Sequence, residues 1–146
     1  MRFLGIDYGT KRIGTAVSDE NGTIAFPKEI ILNNEDTFKI LGEIFKKEKI
    51  SEIVVGESVD FSGKVNALSA RIEVFILELR EKFKLPVHKQ KEFLTSVEAR
   101  RYGSLKDLNL SQARGKVKQI KRGRVDASAA ALILQRYLDK RNKLGQ

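Results

Sequence analysis

The stretch Phe3-Leu4-Gly5-Ile6-Asp7-Tyr8-Gly9-Thr10-Lys11-Arg12-Ile13-Gly14-Thr15-Ala16-Val17-Ser18 decides the fold. An apolar run ends in a carboxylate, Gly9-Thr10-Lys11-Arg12 supplies a tight turn, and a second run with β-branched residues starts at Ile13. That is the pattern of a β-hairpin. Asp7 therefore falls where the first strand meets the turn. A carboxylate at that point is held by the sheet yet stays open on one side to water, a metal or a phosphate. Its plainer role is to hydrogen-bond its own turn.

Beyond the hairpin, Asp19-Glu20-Asn21-Gly22 is a turn, and Thr23 to Phe26 with Glu29 to Leu32 reads as a third strand. Pro27 interrupts it, which favours an edge strand or a bulge. Asn33-Asn34 offers a helix cap. Phe38, Leu41, Ile44 and Phe45 then recur at helical spacing up to Lys47. Glu52-Ile53-Val54-Val55-Gly56-Glu57 is a short apolar run of the kind buried in a parallel sheet. Ser58 to Gly63 reads as a loop, and Val65, Leu68, Ile72, Phe75, Ile76, Leu79 and Phe83 share one face of a long second helix. A fifth strand starts at Pro86-Val87-His88-Lys89-Gln90 and runs into Lys91-Glu92-Phe93-Leu94. Thr95 and Glu98 follow at capping-box spacing. From Ser104 to Gly123 periodicity fades, and a mobile basic segment around residues 104–124 is expected. Val125 to Leu138 is a strong helical pattern with Asp126 in its first turn, and Asp139 to Gln146 reads as a charged, frayed tail.

The order βββαβαβα gives an α/β fold, a five-stranded mixed sheet flanked by helices in one domain spanning residues 1–146. A chain with 41% hydrophobic and 32% charged residues is that of a soluble globular protein. It has no apolar stretch of membrane-spanning length, and Met1-Arg2 leads straight into strand-like sequence rather than a signal. The absence of cysteine excludes a disulfide framework and thiolate metal sites, and fits a cytoplasmic protein. The net charge of +9 and pI near 9.8 favour a polyanionic partner, nucleic acid foremost. Solubility alone would explain scattered lysines. These cluster, however: between Ser111 and Val125 stand Arg114, Lys116, Lys118, Lys121, Arg122 and Arg124, with no acid among them.

Ligands in α/β sheets gather at the carboxyl ends of parallel strands, where Asp7, Glu57 and Glu92 are all expected. Asp126 joins them if its helix crosses the same edge. Taken singly each has an ordinary explanation, as turn residue, loop charge, strand-end charge and helix cap. Crowded together, they repel and need cations, and an all-oxygen set suits Mg²⁺ or Mn²⁺ rather than zinc. Two such ions about 3.5–4 Å apart can activate water and stabilise the leaving oxygen of a phosphodiester.

Asp7-Tyr8-Gly9-Thr10-Lys11-Arg12-Ile13-Gly14, Val54-Val55-Gly56, Lys91-Glu92-Phe93-Leu94-Thr95-Ser96 and Val125-Asp126-Ala127-Ser128-Ala129-Ala130, in this order, resemble the YqgF/RuvX family. The resemblance runs from about Phe3 to Leu138. It implies an RNase H-like fold and a metal-dependent endonuclease, a Holliday junction resolvase homologue or a pre-16S ribosomal RNA nuclease active in ribosome biogenesis. The implied partner is branched DNA or an rRNA precursor, with no membrane, and the implied state is a monomer or homodimer. The family's three acidic positions fall on Asp7, Glu92 and Asp126, which it implies as catalytic metal ligands. Two departures stand out. The family's Asp-Glu-Arg-Leu-Thr appears as Lys91-Glu92-Phe93-Leu94-Thr95, and its Gly-Leu-Pro as Gly56-Glu57-Ser58; since the related RuvC resolvases carry an acid at that place, the resemblance implies Glu57 as a candidate fourth ligand.

Thr10, Lys11 and Arg12 are candidate phosphate contacts beside the basic run, although exposed turn charges explain them equally well. His88, the single histidine, has no sequence neighbours that make a zinc or triad site, so a structural role is expected. Two rivals to the nuclease remain at this level. Asp-x-Gly-Thr at a first hairpin is also similar to the phosphate loop of the actin, Hsp70 and sugar-kinase superfamily, but a second phosphate loop is absent here. The other is a noncatalytic nucleic-acid-binding or ribosome-associated module.

Overall fold

The tertiary structure is a computed structural model that describes residues 1–59, 67–93 and 118–144. Strands β1 (Arg2–Tyr8), β2 (Arg12–Ser18) and β3 (Ala25–Leu32) are followed by α1 (Thr37–Glu48), β4 (Ile50–Val59), α2 (Ala67–Phe83), β5 (Val87–Phe93) and α3 (Lys118–Leu144). The strands form one sheet in the order β3-β2-β1-β4-β5. β1 pairs antiparallel with β2 and parallel with β4, and β4 pairs parallel with β5, so the sheet is mixed as expected. The central strands carry unbroken apolar runs because both of their faces are covered.

Alternation along β1 sorts its side chains between two layers. Leu4 and Ile6 join Ile53, Val55 and Val87 in a core closed by Leu41, Ile44 and Phe45 of α1 and Ile72, Phe75, Ile76 and Leu79 of α2. Phe3, with Ala16 and Val54, faces Ala130, Ile133, Leu134 and Leu138 of α3 on the opposite side. Glycines let α3 approach this closely. A Cβ at Gly5 would stand 2.7 Å from the Leu134 Cβ and 3.0 Å from the Ala130 carbonyl oxygen, and one at Gly56 would stand 2.5 Å from Ile133 Cδ1.

Side-chain bonds fix where α3 lies along the sheet. Gln135 accepts from the Ala25 amide at 2.9 Å and donates to the Thr23 carbonyl at 2.8 Å, while Asn142 donates to the Gly22 carbonyl at 3.1 Å. Tyr137 packs against both Phe3 and His88, with ring centroids 5.9 and 5.1 Å away. His88 is accordingly structural. Its Nε2 lies 3.4 Å from a Glu52 carboxylate oxygen, and burial, then the Glu52 charge, raise the Tyr137 phenol above its ordinary pKa.

Several expected boundaries move. β3 is an edge strand that continues through Pro27, and the expected bulge directly follows that proline: between the pairs Ala16–Pro27 and Gly14–Ile30, Lys28 and Glu29 of β3 stand opposite the single Thr15 of β2. Thr23 falls outside it because the Asp19 carboxylate takes the Ile24 and Thr23 amides and the Thr23 hydroxyl, which holds the Asp19 pKa at about 2. The α1 N-cap is Asp36 rather than Asn33-Asn34, and Asn34 Oδ1 accepts from the Asp36 amide instead. Ser58 and Val59 extend β4 through pairing with Glu92 and Phe93, so the loop does not begin at Ser58. α3 begins at Lys118 rather than Val125 and continues to Leu144, which makes residues 118–124 and most of the supposed tail helical backbone. Gly123, which costs about 0.5–1 kcal/mol inside a helix, and the dense charge masked that start. The remainder of the 104–124 segment, the Asp60 to Gly63 loop, Val65 and the Thr95–Glu98 pair lie outside the described residues.

Candidate active site

Asp7 is the penultimate residue of β1 and is half-buried, while Thr10, Lys11 and Arg12 in the following turn are exposed. The turn is tightly closed. A Cβ at Gly9 would meet the Arg12 carbonyl oxygen at 2.4 Å, so only glycine fits there. Asn33 pins the same turn from the end of β3, its Nδ2 donating to the Gly9 carbonyl at 2.9 Å and its amide to the Lys11 carbonyl at 2.9 Å. Sequence reading took Asn33 for a helix cap, because nothing local shows that the β3 end returns beside this turn.

Register places the other acids. Ile6 pairs with Val55 on β4, and Gly56, Glu57 and Ser58 pair in turn with Gln90, Lys91 and Glu92 on β5. Asp7, Gly56 and Gln90 therefore share a level near the carboxyl edge, and Glu92 follows two positions after Gln90. By alternation Asp7 has the parity of Phe3, on the α3 face, and the Glu92 position has the parity of Val54 and Gly56, on that same face. Glu57 has the parity of Ile53 and Val55 and belongs to the α1/α2 face. Three strand ends thus meet at one edge, but Glu57 is separated from Asp7 by the sheet itself.

Asp126 belongs to α3. Tyr137 and Arg141 sit at Phe3, near the amino end of β1, whereas Ala130 and Leu134 sit at Gly5 and Ile133 at Gly56. The helix consequently runs antiparallel to β1, and its earlier turns approach the carboxyl edge. Asp126 stands four residues before Ala130 and seven before Ile133, on the line of the sheet-facing stripe. Of Glu92 and Asp126 the structure describes the backbone and not the side chains. Among the described residues no three carboxylates or imidazoles converge. Carboxylates offer oxygen donors alone, the kind that a hard divalent cation takes.

Lys118, Lys121, Arg122 and Arg124 fall on the first turns of α3, at the end of the helix that leads to the same edge. Arg114 and Lys116 lie outside the described residues. Also among the described residues, no helix is long and apolar enough to cross a membrane.

Residues 1–140 match the family model for RuvX, Holliday junction resolvase. The chain belongs to the RuvX family. A protein of Oenococcus oeni named "Putative pre-16S rRNA nuclease" is 39% identical over 151 residues, covering 99% of this chain and 98% of that protein. One of Lawsonia intracellularis with the same name is 37% identical over 142 residues, 96% of this chain and 94% of the other. Among solved structures, the fowlpox virus resolvase with its substrate Holliday junction DNA matches with a TM-score of 0.50 at 11% identity, over 96% of this chain and 98% of that one. That likeness concerns the fold, which is RNase H-like. RuvX membership makes this a protein of a nuclease and resolvase family.

Proposed function

We propose that this RuvX-family chain is a metal-dependent endonuclease that hydrolyses phosphodiester bonds in structured nucleic acid, with Asp7, Glu92 and Asp126 as its catalytic metal ligands. The observation that carries the reading is the shared parity of Asp7 and Glu92 at one sheet edge, on the face where the stripe bearing Asp126 runs. Clustered carboxylates at one edge repel unless a cation neutralises them, and their oxygen chemistry fits Mg²⁺ or Mn²⁺. When bound, such ions supply the charge that activates water and stabilises the leaving oxygen. The protein's own part is to hold the acids on rigid strands and a docked helix, and to seat the substrate. Thr10, Lys11 and Arg12 are exposed in the turn beside Asp7, which supports a role for them in contacting flanking phosphates. The basic run from Arg114 to Arg124 is assigned to the same nucleic-acid interface, because Lys118, Lys121, Arg122 and Arg124 belong to the start of the helix that leads to this edge. Glu57 is left out of the ligand set because its register position is on the other face.

Precursor 16S rRNA is the substrate we put first, since relatives that span nearly the whole chain carry that name. It implies action in the cytoplasm, during ribosome biogenesis. Four-way junction DNA is the alternative named by the family model. Labelled precursor rRNA, four-way junctions and single strands incubated with Mg²⁺ or Mn²⁺ distinguish the two. Asp7→Asn is expected to slow cleavage at least about a hundredfold, the loss of several kcal/mol of transition-state stabilisation. It is also expected to weaken Mn²⁺ binding in calorimetry while leaving nucleic-acid affinity largely intact. Cleavage that survives Asp7→Asn would sink the assignment, and binding without cleavage of any substrate would leave a noncatalytic module.

A further inference from the structure

A groove of about 470 Å³ opens on the α1/α2 side of the sheet, with Tyr8, the residue after Asp7, in its wall. Its volume falls within the roughly 300–1,000 Å³ that small-ligand sites occupy. One part of the wall is apolar. Tyr8 and Phe75 meet there with ring centroids 4.8 Å apart, Phe38 stands 5.6 Å from Phe75, and Val74 is 56% exposed. The rest is polar, with Asn33 and Asn34 from just beyond β3 and Arg71 and Glu78 from α2. The Gly9 carbonyl takes Asn33 Nδ2 and the Asp36 amide takes Asn34 Oδ1, while Asn33 Oδ1 and Asn34 Nδ2 make no hydrogen bond among the described residues. Arg71 and Glu78 likewise have no hydrogen-bond or ion-pair partner among the described residues. They stand seven residues apart on α2, about 10.5 Å along the helix, with Val74 between them.

We propose that this groove takes one unstacked base of the nucleic acid, from a single-stranded nucleotide flanking the one at Asp7. The inference rests on the reading of this chain as acting on nucleic acid, and adds to it a contact with the strand outside the metal site. A base has flat apolar faces and an edge of donors and acceptors, which is how the wall is divided. Its faces pack against Tyr8, Phe38 and Val74, and its edge meets the Asn33 and Asn34 amides, which offer one free acceptor and one free donor. Charge sets the orientation. Arg71 draws the attached phosphate to one end of the groove, and Glu78 keeps it from the other. An apolar side chain of a protein partner would instead desolvate both amides and both charges with nothing to pair them. Asn33 also ties the groove to the candidate active site, because the side chain that lines it donates to the Gly9 carbonyl, two residues after Asp7.

Photo-crosslinking and anisotropy titration of the full chain without divalent metal test the groove apart from cleavage, with circular dichroism confirming that each variant is folded. A short single strand carrying iodouracil should cross-link to Tyr8 or to residues 70–78, located by mass spectrometry. Val74→Glu should abolish that cross-link and weaken binding of the strand at least about tenfold, the loss of one stacked base. Leu77→Glu adds the same charge at an exposed position three residues on, outside the groove, and should stay within about threefold of wild type. An abasic strand of the same length offers phosphates alone, and wild type and Val74→Glu should bind it within about threefold of each other. Cross-links confined to other parts of the chain, a Val74→Glu protein that binds as wild type does, equal losses in Val74→Glu and Leu77→Glu, or an equal loss on the abasic strand would each overturn the proposal. A chain that shows the expected pattern but cuts nothing would sink the nuclease reading and uphold the groove, whereas a chain that binds no nucleic acid would remove both.

Discussion

Asp7 and Glu57 close neighbouring strands of one sheet edge, but a strand alternates its side chains, and register settles which face each takes. Asp7 shares its face with Phe3 and α3, while Glu57 shares its face with Ile53, Val55 and the α1/α2 layer. A carboxylate's reach is too short to cross a sheet whose packed layers lie about 10 Å apart. Glu57→Gln is therefore expected to keep cleavage within about threefold of wild type, measured beside Asp7→Asn on the same substrate. A loss as deep as that of Asp7→Asn would restore Glu57 to the ligand set. Asp19 illustrates the same residue-level logic in a structural role. Three donors from Thr23 and Ile24 lower its pKa to about 2, so the turn between β2 and β3 keeps this support down to strongly acidic pH.

At the scale of elements, the position of α3 matters most, because it alone brings Asp126 toward strands that are distant in sequence. That position rests on close contact over Gly5 and Gly56 and on the Gln135 and Asn142 bonds to the β2–β3 turn. A methyl group at Gly5 would strike the Leu134 Cβ and the Ala130 carbonyl, and a helix backbone cannot turn aside as a flexible side chain can. Gly5→Ala is expected to cost about 1–3 kcal/mol and to lower the melting temperature by several degrees in calorimetry. By lifting α3 it should also depress cleavage below 25 °C, where the variant is still folded. An unchanged melting temperature would mean that α3 is not seated as described.

For the molecule as a whole, the charge of +9 has to be read together with its distribution. Lys118, Lys121, Arg122 and Arg124 are gathered at the start of α3, the end that leads to the sheet edge of Asp7. Basic charge gathered at one helix end favours a polyanionic partner there. Neutralising Lys118, Lys121 and Arg122 together should lower the steepness of log affinity against log salt by about 2 to 3 units. An unchanged slope in a filter-binding or anisotropy titration would remove this part of α3 from the interface.

The order of elements, the hairpin turn after Asp7, the edge character of β3 and the two apolar faces of the sheet were legible in the sequence, because each follows from local periodicity, glycine and proline. The motif series from Asp7 to Asp126 likewise pointed to the family. The start of α3 was hidden by Gly123 and by the charge around it, since propensity weighs against a helix there and only packing farther along the chain favours one. What periodicity alone could not decide was register. The face that Glu57 shares, the pinning of the Gly9 turn by Asn33 and the level at which α3 crosses the sheet all depend on which residues of separate strands lie side by side. Those are long-range pairings, fixed by how the two cores close and not by any neighbour in the chain.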